Sequence, residues 1–396
     1  MIFGFLAYGL MSQGLISISC WAFVAFVTAL CTQSVIFTFF LKENKVCWIN
    51  ILYIPSLWCL SEFIRNALMG GFSFYISHAQ AFCPTMLKLY GYIGCGGMSF
   101  CIFLVNTLIY LAIIHRRYRW KLVIAAVMVS FSIFGFGLIK KDHDQRSLIH
   151  LRIAVIQANI SPWEKADLKN FNQIAQTHLD LTEKAFIESQ PDLAIWPETA
   201  FPDDLLQSDQ WRPVIFAQAR HIHADLLLGM APIIDGKEYN SALLVNAQGQ
   251  MSGLYHKMFL VPFAENTPLE RFGLNWGRGY HFVSGKKAGV LSLSHVPVHF
   301  GVVICSESAH PSLVRKMHRA GIGFLVEISN DGWFSDKASY MLHAQAAIMR
   351  AVENHLWVIR AANTGFSFAV DPDGNIHEDG NIKLGHQGFG IFDIMI

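Results

Sequence analysis

The distribution of charged side chains most strongly restricts what this chain can fold into. Residues 1–41 contain no Asp, Glu, Lys or Arg, and the first 139 residues contain only ten of them. A helix of roughly 20 predominantly apolar residues can cross the hydrocarbon core of a bilayer. Apolar runs near or above this length occupy 16–41, 47–64, 91–114 and 122–139. The sequence therefore predicts a multi-span α-helical membrane region over residues 1–140.

The rest of the chain has the composition of a water-soluble domain. The whole chain is only 15% charged, whereas an ordinary soluble domain is roughly one quarter charged. The shortage is confined to the first 139 residues, which hold eight cations and two anions. Because the net charge of the whole chain is +1, the remainder is acidic, which argues against a nucleic-acid partner. We therefore expect a separate soluble domain over residues 150–396.

The basic residues near the predicted spans indicate an orientation. Arg116, Arg117, Arg119 and Lys121 lie between the last two spans, and two further lysines lie between 16–41 and 47–64: Lys42 and Lys45. Positively charged loops are retained in the cytoplasm. We therefore expect the domain after Ile139 on the opposite face. In a bacterium this would be a multi-pass protein of the inner membrane with its large domain in the periplasm.

The soluble domain alternates short β-branched runs with helical patterns. Runs typical of buried strands are LRIAVIQAN (151–159), DLAIW (192–196), DLLLGM (225–230), NSALLVNA (240–247), HFGVVIC (299–305), GFLVEIS (323–329) and LWVIRAA (356–362). Helices are predicted at 168–189, 210–222, 310–320 and 338–355. This alternation predicts an α/β fold in which helices cover a sheet. Catalytic groups of such folds usually lie at strand ends.

Three strand ends carry side chains that could react together. Glu198 follows DLAIWP, Lys257 and Glu265 lie in YHKMFLVPFAE, and Cys305 ends HFGVVIC as the only cysteine after residue 150. Singly, these groups could be an exposed carboxylate, a solvated lysine and a core thiol. Together, the carboxylate could take the proton of the thiol, and the lysine could stabilise an oxyanion and lower the thiol pKa.

This order of Glu, Lys and Cys resembles the carbon–nitrogen hydrolase (nitrilase) superfamily. Three further segments resemble it too: ISNDGWF (328–334), RAVEN (350–354) and RAANTGFS (360–367). The resemblance covers 151–396 and implies an α/β nitrilase-like α-β-β-α sandwich. The segments LWCLSEFIRNALMGGFSFYISHAQ (57–80) and YGYIGCGGMSFCIFLVN (90–106) are similar to the membrane part of one branch, the apolipoprotein N-acyltransferase family.

The resemblance implies a two-step acyl transfer. Cys305 would attack a phospholipid ester and form a thioester, and the acyl chain would then pass to the α-amino group of a diacylglyceryl-cysteine at a lipoprotein's N-terminus. It implies Glu198 as the general base and then acid, and Lys257 as the oxyanion stabiliser. Glu265 and Glu307 would position Lys257 and the thiol.

Several departures from the family pattern keep two alternatives open. Family members usually carry additional spans at both ends, Ser306 replaces a tyrosine, and Ser73 replaces a proline. Lys165-Ala166-Asp167 replaces the family's Lys-Trp-Asp. One alternative is a membrane-anchored amidase or nitrilase, which would not need the 57–80 segment. The other is an inactive relative with a binding or assembly role.

The remaining polar motifs predict no cofactor. His221 and His223 form an isolated pair, and the sequence contains no HExxH or CxxC motif, so we expect no metal site. No phosphate-binding glycine motif is present, which argues against a nucleotide. His343 and Arg350 lie seven residues apart on one predicted helix, where packing or an Arg350–Glu353 pair is the expected role. We expect a monomer.

Overall fold

The computed structural model describes residue 9 and residues 20–42, 47–71, 75–138, 149–201, 203–261, 264–265, 281–333 and 337–396. The chain divides into two compact units, Met1–Asp144 and Gln145–Ile396. Each unit is described by itself. Several parts of the sequence predictions lie outside the described residues: the start of the first span at 16–19, Lys45, Ser73, the end of the last span at 139 and the end of ISNDGWF at 334.

The first unit consists of helices that coincide with the predicted apolar runs. They are α1 (Cys20–Phe40), α2 (Cys47–Leu68), α3 (Pro84–Ile114) and α4 (Arg119–Leu138), with short 3-10 turns at Ile76–Gln80 and Arg116–Tyr118. In the described part, two segments are long and apolar enough to cross a membrane, Pro84–Ile114 and Arg116–Leu138. The apolar stretch of α1 is shorter, Phe26–Phe40.

Apolar packing joins α3 to α4. Leu108 and Leu111 of α3 pack against Leu122 and Ala126 of α4 in one buried cluster. At the other end of this pair, a Cβ atom on Gly137 would lie only 1.9 Å from the carbonyl oxygen of Thr85. Glycine is therefore required there, because any side chain would push the two helices apart.

A buried polar cluster connects α1, α2 and the turn that follows. The Arg65 guanidinium donates hydrogen bonds to Gln33 and to Oδ1 of Asn66, the latter at 2.7 Å from Nη2. Oε1 of Glu62 accepts a hydrogen bond from the backbone N–H of Ile76 at 2.9 Å. All four of these side chains are buried. Ionisable groups inside an apolar helical unit are costly unless they are paired in this way.

The second unit contains two six-stranded sheets and a small hairpin. One sheet has the order β14-β1-β2-β3-β6-β7, the other has the order β13-β12-β11-β10-β9-β8, and β4 pairs with β5. The strands are β1 (His150–Gln157), β2 (Leu193–Ile195), β3 (Asp225–Met230), β4 (Ile233–Ile234), β5 (Lys237–Glu238), β6 (Ser241–Val245), β7 (Met251–His256), β8 (Gly289–Ser292), β9 (His299–Ile304), β10 (Phe324–Ser329), β11 (Trp357–Ala362), β12 (Ser367–Val370), β13 (Ile376–Ile382) and β14 (Gly388–Met395).

Among the residues that the structure describes, this unit has five helices, and the longer ones cover the outer faces of the two sheets. The five helices are α5 (Pro162–Ala166), α6 (Phe171–Ser189), α7 (Trp211–His221), α8 (Pro311–Arg319) and α9 (Lys337–Asn354). Successive side chains of a strand point to opposite faces of its sheet. Each strand can therefore contribute both to the core between the sheets and to the face that the helices cover. In β1, Ile153 and Val155 join the core between the sheets, whereas Ala154 and Ile156 pack toward α6 and α7. The predicted nitrilase-like α-β-β-α sandwich is confirmed.

The strands β1-β2-β3 and β9-β10-β11 run parallel within their sheets. The carboxyl ends of neighbouring parallel strands lie at one edge of a sheet, so the residues that follow them gather there. Glu198 follows β2, Cys305 follows β9 and Asp331 follows β10. The topology therefore brings the predicted site residues toward one another.

Candidate active site

Glu198 lies in a rigid turn after β2. Trp196 is buried and donates a hydrogen bond from Nε1 to Oγ1 of Thr182 at 2.8 Å. A Cβ atom on Gly229 of β3 would lie 2.5 Å from the Pro197 carbonyl oxygen, so glycine allows the strand to approach the turn. The Glu198 carboxylate is 5% exposed. Its position in the turn is therefore fixed by packing on both sides.

Both carboxylate oxygens of Glu198 have defined donors. Oε1 accepts a hydrogen bond from Nδ2 of Asn240 at 2.7 Å, and Oε2 accepts one from the backbone N–H of Asn330 at 2.8 Å. Asn240 precedes β6 and Asn330 follows β10. The carboxylate is thus held between the two sheets of the sandwich.

Lys257 is buried beside two carboxylates. Its Nζ atom lies 2.9 Å from Oε1 of Glu265 and 3.5 Å from Oε1 of Glu198. Burial alone lowers the pKa of Lys257, but the charges of Glu265 and Glu198 outweigh that effect and raise the pKa above its ordinary value. Nδ2 of Asn240 also donates to Glu265, at 2.8 Å. The lysine is therefore a fixed cation at neutral pH.

Glu265 and Glu307 organise the chain around this cation. Oε2 of Glu265 accepts a hydrogen bond from the backbone N–H of Val261 at 2.8 Å. Glu307 accepts backbone hydrogen bonds from Met258 at 2.7 Å and from Ile304 at 2.9 Å, as well as one from the hydroxyl group of Tyr255 at 2.8 Å. Glu307 therefore ties the residue after Lys257 to the residue before Cys305.

Cys305 occupies a strained junction between β9 and a 3-10 turn. Its φ angle is +55°, a left-handed conformation that costs a residue with a side chain about 1–3 kcal/mol. The thiol lies within electrostatic range of Glu198, Lys257 and His343. Burial first, and the charge of Glu198 second, raise the pKa of Cys305. A thiol with a raised pKa needs a base to become nucleophilic.

Lys165 and His343, like Asn240, were not predicted as site residues from the sequence. Nζ of Lys165 donates a hydrogen bond to the main-chain oxygen of Glu198 at 3.3 Å, and burial lowers the pKa of this lysine to about 7. His343 lies in a buried polar cluster with Asp331 and Arg360. The ion pair between Arg350 and Glu353 that the sequence predicts is present, with Nη2 of Arg350 at 3.0 Å from Oε2 of Glu353.

The signals that could have identified these two residues were weak. Lys165 stands in a segment that differs from the family pattern, and His343 is an isolated histidine on an ordinary helical pattern. Among the described residues, no group of three or more His, Cys, Asp or Glu side chains has the arrangement of a metal site.

Two family models match the chain in consecutive parts. The model of the apolipoprotein N-acyltransferase N-terminal domain matches residues 1–108, and that of the carbon-nitrogen hydrolases matches residues 152–381. The apolipoprotein N-acyltransferase of Pseudomonas syringae pv. tomato is 30% identical, over 85% of this chain and 67% of its own. That of Rickettsia prowazekii is 27% identical, over 90% of this chain and 72% of its own.

A third relative, the apolipoprotein N-acyltransferase of Geobacter metallireducens, is 28% identical, over 82% of this chain and 65% of its own. The chain thus spans about two thirds of the length of these relatives.

Among solved structures, the C. elegans NitFhit protein is similar with a TM-score of 0.51 and 17% sequence identity, over 63% of this chain and 61% of its own. This similarity concerns the fold of the second unit.

Proposed function

The chain belongs to the apolipoprotein N-acyltransferase family, and from this membership we propose that it acylates lipoproteins. The acyl donor is a phospholipid, and the acceptor is the α-amino group of an N-terminal diacylglyceryl-cysteine. The observation that carries the proposal is the buried cluster in which Lys257 lies between Glu198 and Glu265 and within electrostatic range of the strained Cys305. That cluster supports covalent acyl transfer through the thiol.

In the first step Glu198 removes the proton from the Cys305 thiol as the sulfur attacks the ester carbonyl carbon. The carbonyl electron pair moves to oxygen, and Lys257 stabilises the resulting oxyanion. When this tetrahedral intermediate collapses, the carbon–oxygen bond breaks and the leaving glycerol oxygen takes the proton from Glu198. The product is a thioester on Cys305 and a lysophospholipid.

In the second step the amine of the acceptor attacks the thioester. Glu198 takes a proton from the attacking nitrogen, and Lys257 again stabilises the oxyanion. Collapse breaks the carbon–sulfur bond, and the sulfur recovers the proton from Glu198. Because the lysophospholipid leaves before the lipoprotein reacts, the kinetics are ping-pong.

Glu265 and Glu307 position the catalytic groups in this proposal. Glu265 fixes Nζ of Lys257 at 2.9 Å, so the ammonium group is in place before charge develops on the substrate. Glu307 holds the main chain on both sides of the site through Met258 and Ile304. Preorganisation of this kind avoids the cost of rearranging charged groups during the reaction.

We place the protein in the bacterial inner membrane as a multi-pass protein with its second unit in the periplasm. The support is the apolar surface of α4, where Trp120, Phe131 and Leu138 are each more than 70% exposed. Side chains of this kind are stable in lipid and unfavourable in water. The basic residues that precede and begin α4, Arg116, Arg117, Arg119 and Lys121, favour a cytoplasmic end.

The test is detection of the thioester. The full chain in detergent is incubated with phospholipid and measured by intact mass, where an acyl adduct that hydroxylamine removes is expected. The matched variant Cys305→Ala should lack the adduct, and an adduct retained in that variant contradicts the assignment. Addition of a diacylglyceryl-cysteine peptide should then transfer the chain to the peptide. Release of free fatty acid, with the peptide unmodified, would instead indicate a membrane-anchored hydrolase.

A further inference from the structure

Asn240 is a buried residue of the site to which the steps above give no part. It directly precedes β6, and its main-chain oxygen accepts a hydrogen bond from the main-chain N–H of Lys257 at 2.8 Å. The pairing continues along the antiparallel strands β6 and β7, where Ser241 lies opposite His256. The sheet therefore fixes Asn240 beside the lysine, in a position where the residue is only 2% exposed.

The side-chain amide of Asn240 lies between two carboxylates. Its Nδ2 atom donates a hydrogen bond to Oε1 of Glu198 at 2.7 Å and another to Oε1 of Glu265 at 2.8 Å. An ionised carboxylate can only accept hydrogen bonds, so the amide turns its nitrogen toward both of them. Within the described part of the chain, Oδ1 of Asn240 is buried without a hydrogen-bond partner. Because an unpaired buried acceptor is unfavourable, the two carboxylates account for this orientation better than the stability of the fold does.

The charges around this amide do not balance. One ammonium group, that of Lys257, lies 2.9 Å from Oε1 of Glu265 and 3.5 Å from Oε1 of Glu198. The buried Lys165 bonds the main-chain oxygen of Glu198 at 3.3 Å, and the Cys305 thiol adds no positive charge. Two carboxyl groups in such proximity tend to share one proton, because ionising both is electrostatically costly. A shared proton would leave Glu198 unable to accept another.

We propose that Asn240 is a positioning residue that keeps Glu198 ionised by separating it from Glu265. Its two N–H bonds occupy the space in which a shared proton would join the two carboxyl groups. Each carboxylate receives one of these bonds, and hydrogen bonds to the charged form of an acid favour that form. The role rests on the proposed function, in which Glu198 takes the proton of Cys305. Asn240 exchanges no proton and acts through Glu198.

Acylation of Cys305 by p-nitrophenyl butyrate tests this role without any phospholipid. The full chain in detergent is mixed with the ester across a range of pH, and the initial burst is followed at the wavelength where nitrophenol and nitrophenolate absorb equally. The sulfur forms a bond to the acyl carbon, and the nitrophenyl oxygen leaves with the electron pair of the bond that breaks. The thiol proton passes to Glu198 and then to water. Protonation of Glu198 at low pH removes the base, so the burst rate has an acid limb.

Asn240→Leu keeps the approximate size of the side chain and removes the amide. Its acid limb should move up by about one to two pH units, the range expected for losing a hydrogen bond to a charged group. Adding Glu265→Gln to this variant should return the limb toward that of Glu265→Gln alone, because Glu198 then has no carboxylate with which to share a proton. A limb that stays displaced in the double variant overturns the proposed separation from Glu265.

The matched control is Asn354→Leu, which removes another buried amide of the same unit. Nδ2 of Asn354 donates to the main-chain oxygen of Arg350 in its own helix at 3.0 Å, so this variant should keep the wild-type acid limb. A limb that does not move in folded Asn240→Leu, or a rate that falls equally at every pH, overturns the proposal. If that variant does not fold, Asn240→Asp takes its place. It adds a third carboxyl group, and an unmoved limb there overturns the proposal too.

The two proposals fail in different experiments. A wild-type chain that forms no adduct from phospholipid, but whose ester burst has an acid limb that depends on Asn240, contradicts the acyl transfer and supports the role of Asn240. A chain that transfers the acyl group, with an acid limb that is the same with and without the Asn240 amide, contradicts only the role of Asn240. A wild-type chain that gives no burst dependent on Cys305 contradicts that role as well, because it has no working base for Asn240 to hold.

Discussion

Lys257 is a cation in the interior of the second unit, and its neighbours compensate its charge. An isolated buried ammonium group would be strongly unfavourable, but Glu265 and Glu198 lie within 3.5 Å of Nζ. Asn240 donates to both carboxylates, so their oxygens do not depend on the lysine alone. In the proposed reaction, both carboxylates therefore stay hydrogen-bonded to Asn240 while the ammonium group, already in place, also interacts with the substrate oxyanion.

This geometry predicts that Lys257→Met lowers kcat by about 10²–10³-fold, the usual effect of losing one oxyanion donor. Methionine keeps the length of the apolar stem and removes the charged head. An interaction made only in the transition state acts on kcat more than on KM. The measurement is acyl transfer to a diacylglyceryl-cysteine peptide with both substrates varied. An unchanged kcat with a raised KM would make Lys257 a binding residue instead.

At the scale of elements, the turn after β2 depends on a second buried lysine. Lys165 of α5 donates to the main-chain oxygen of Glu198 at 3.3 Å. Burial lowers its pKa to about 7 from an ordinary 10.5. Between these two values the unfolded chain binds a proton that the folded chain does not. By linkage, the free energy of unfolding therefore rises with pH over this window, and the penalty for Lys165 is largest below about pH 7.

The prediction is that Lys165→Met removes this pH dependence. The free energy of unfolding of the methionine variant, minus that of the wild type, should be larger at pH 7 than at pH 9. Between these pH values it should fall by up to about 1.4 kcal/mol per pH unit, because only the wild type becomes more stable as Lys165 loses its penalty. Thermal unfolding of the full chain in detergent at both pH values gives the comparison. The control is Lys169→Met, because Lys169 is exposed. Parallel behaviour of Lys165→Met and the wild type would show that this lysine does not titrate in the window.

The helices and buried strands of the second unit could be read from the sequence because each has a strong local pattern. LRIAVIQAN has the continuous apolar character of a strand covered on both faces, and it forms β1. The order of the strands could not be derived in that way, because pairing depends on contacts between distant segments. The α/β class followed from the alternation of strands and helices, whereas the α-β-β-α sandwich came from the resemblance. The roles proposed for Glu198, Lys257, Glu265, Cys305 and Glu307 remain predictions.

The supporting residues of the site were harder to foresee for a physical reason. Asn240, Lys165 and His343 are polar residues at a strand start or on helices, positions where a polar side chain usually faces water. In the structure, the first two are buried and contact Glu198, and the third interacts with Cys305. Their roles depend on which elements the fold places opposite them, and a sequence pattern reports only the element to which a residue belongs.

At the scale of the whole molecule, the proposed location of the second unit outside the cytoplasm can be tested with reporter fusions. We predict that alkaline phosphatase, which needs an oxidising compartment to form its disulfides, is active when fused after Ser147. Fusion after Lys121 should be inactive, because the basic residues Arg116, Arg117 and Arg119 retain that end of α4 in the cytoplasm. Changing these three arginines to glutamate should lower the activity of the Ser147 fusion relative to its amount in the membrane. An inactive fusion at Ser147 with an active one at Lys121 would place the catalytic cluster in the cytoplasm and contradict a periplasmic acyl transfer.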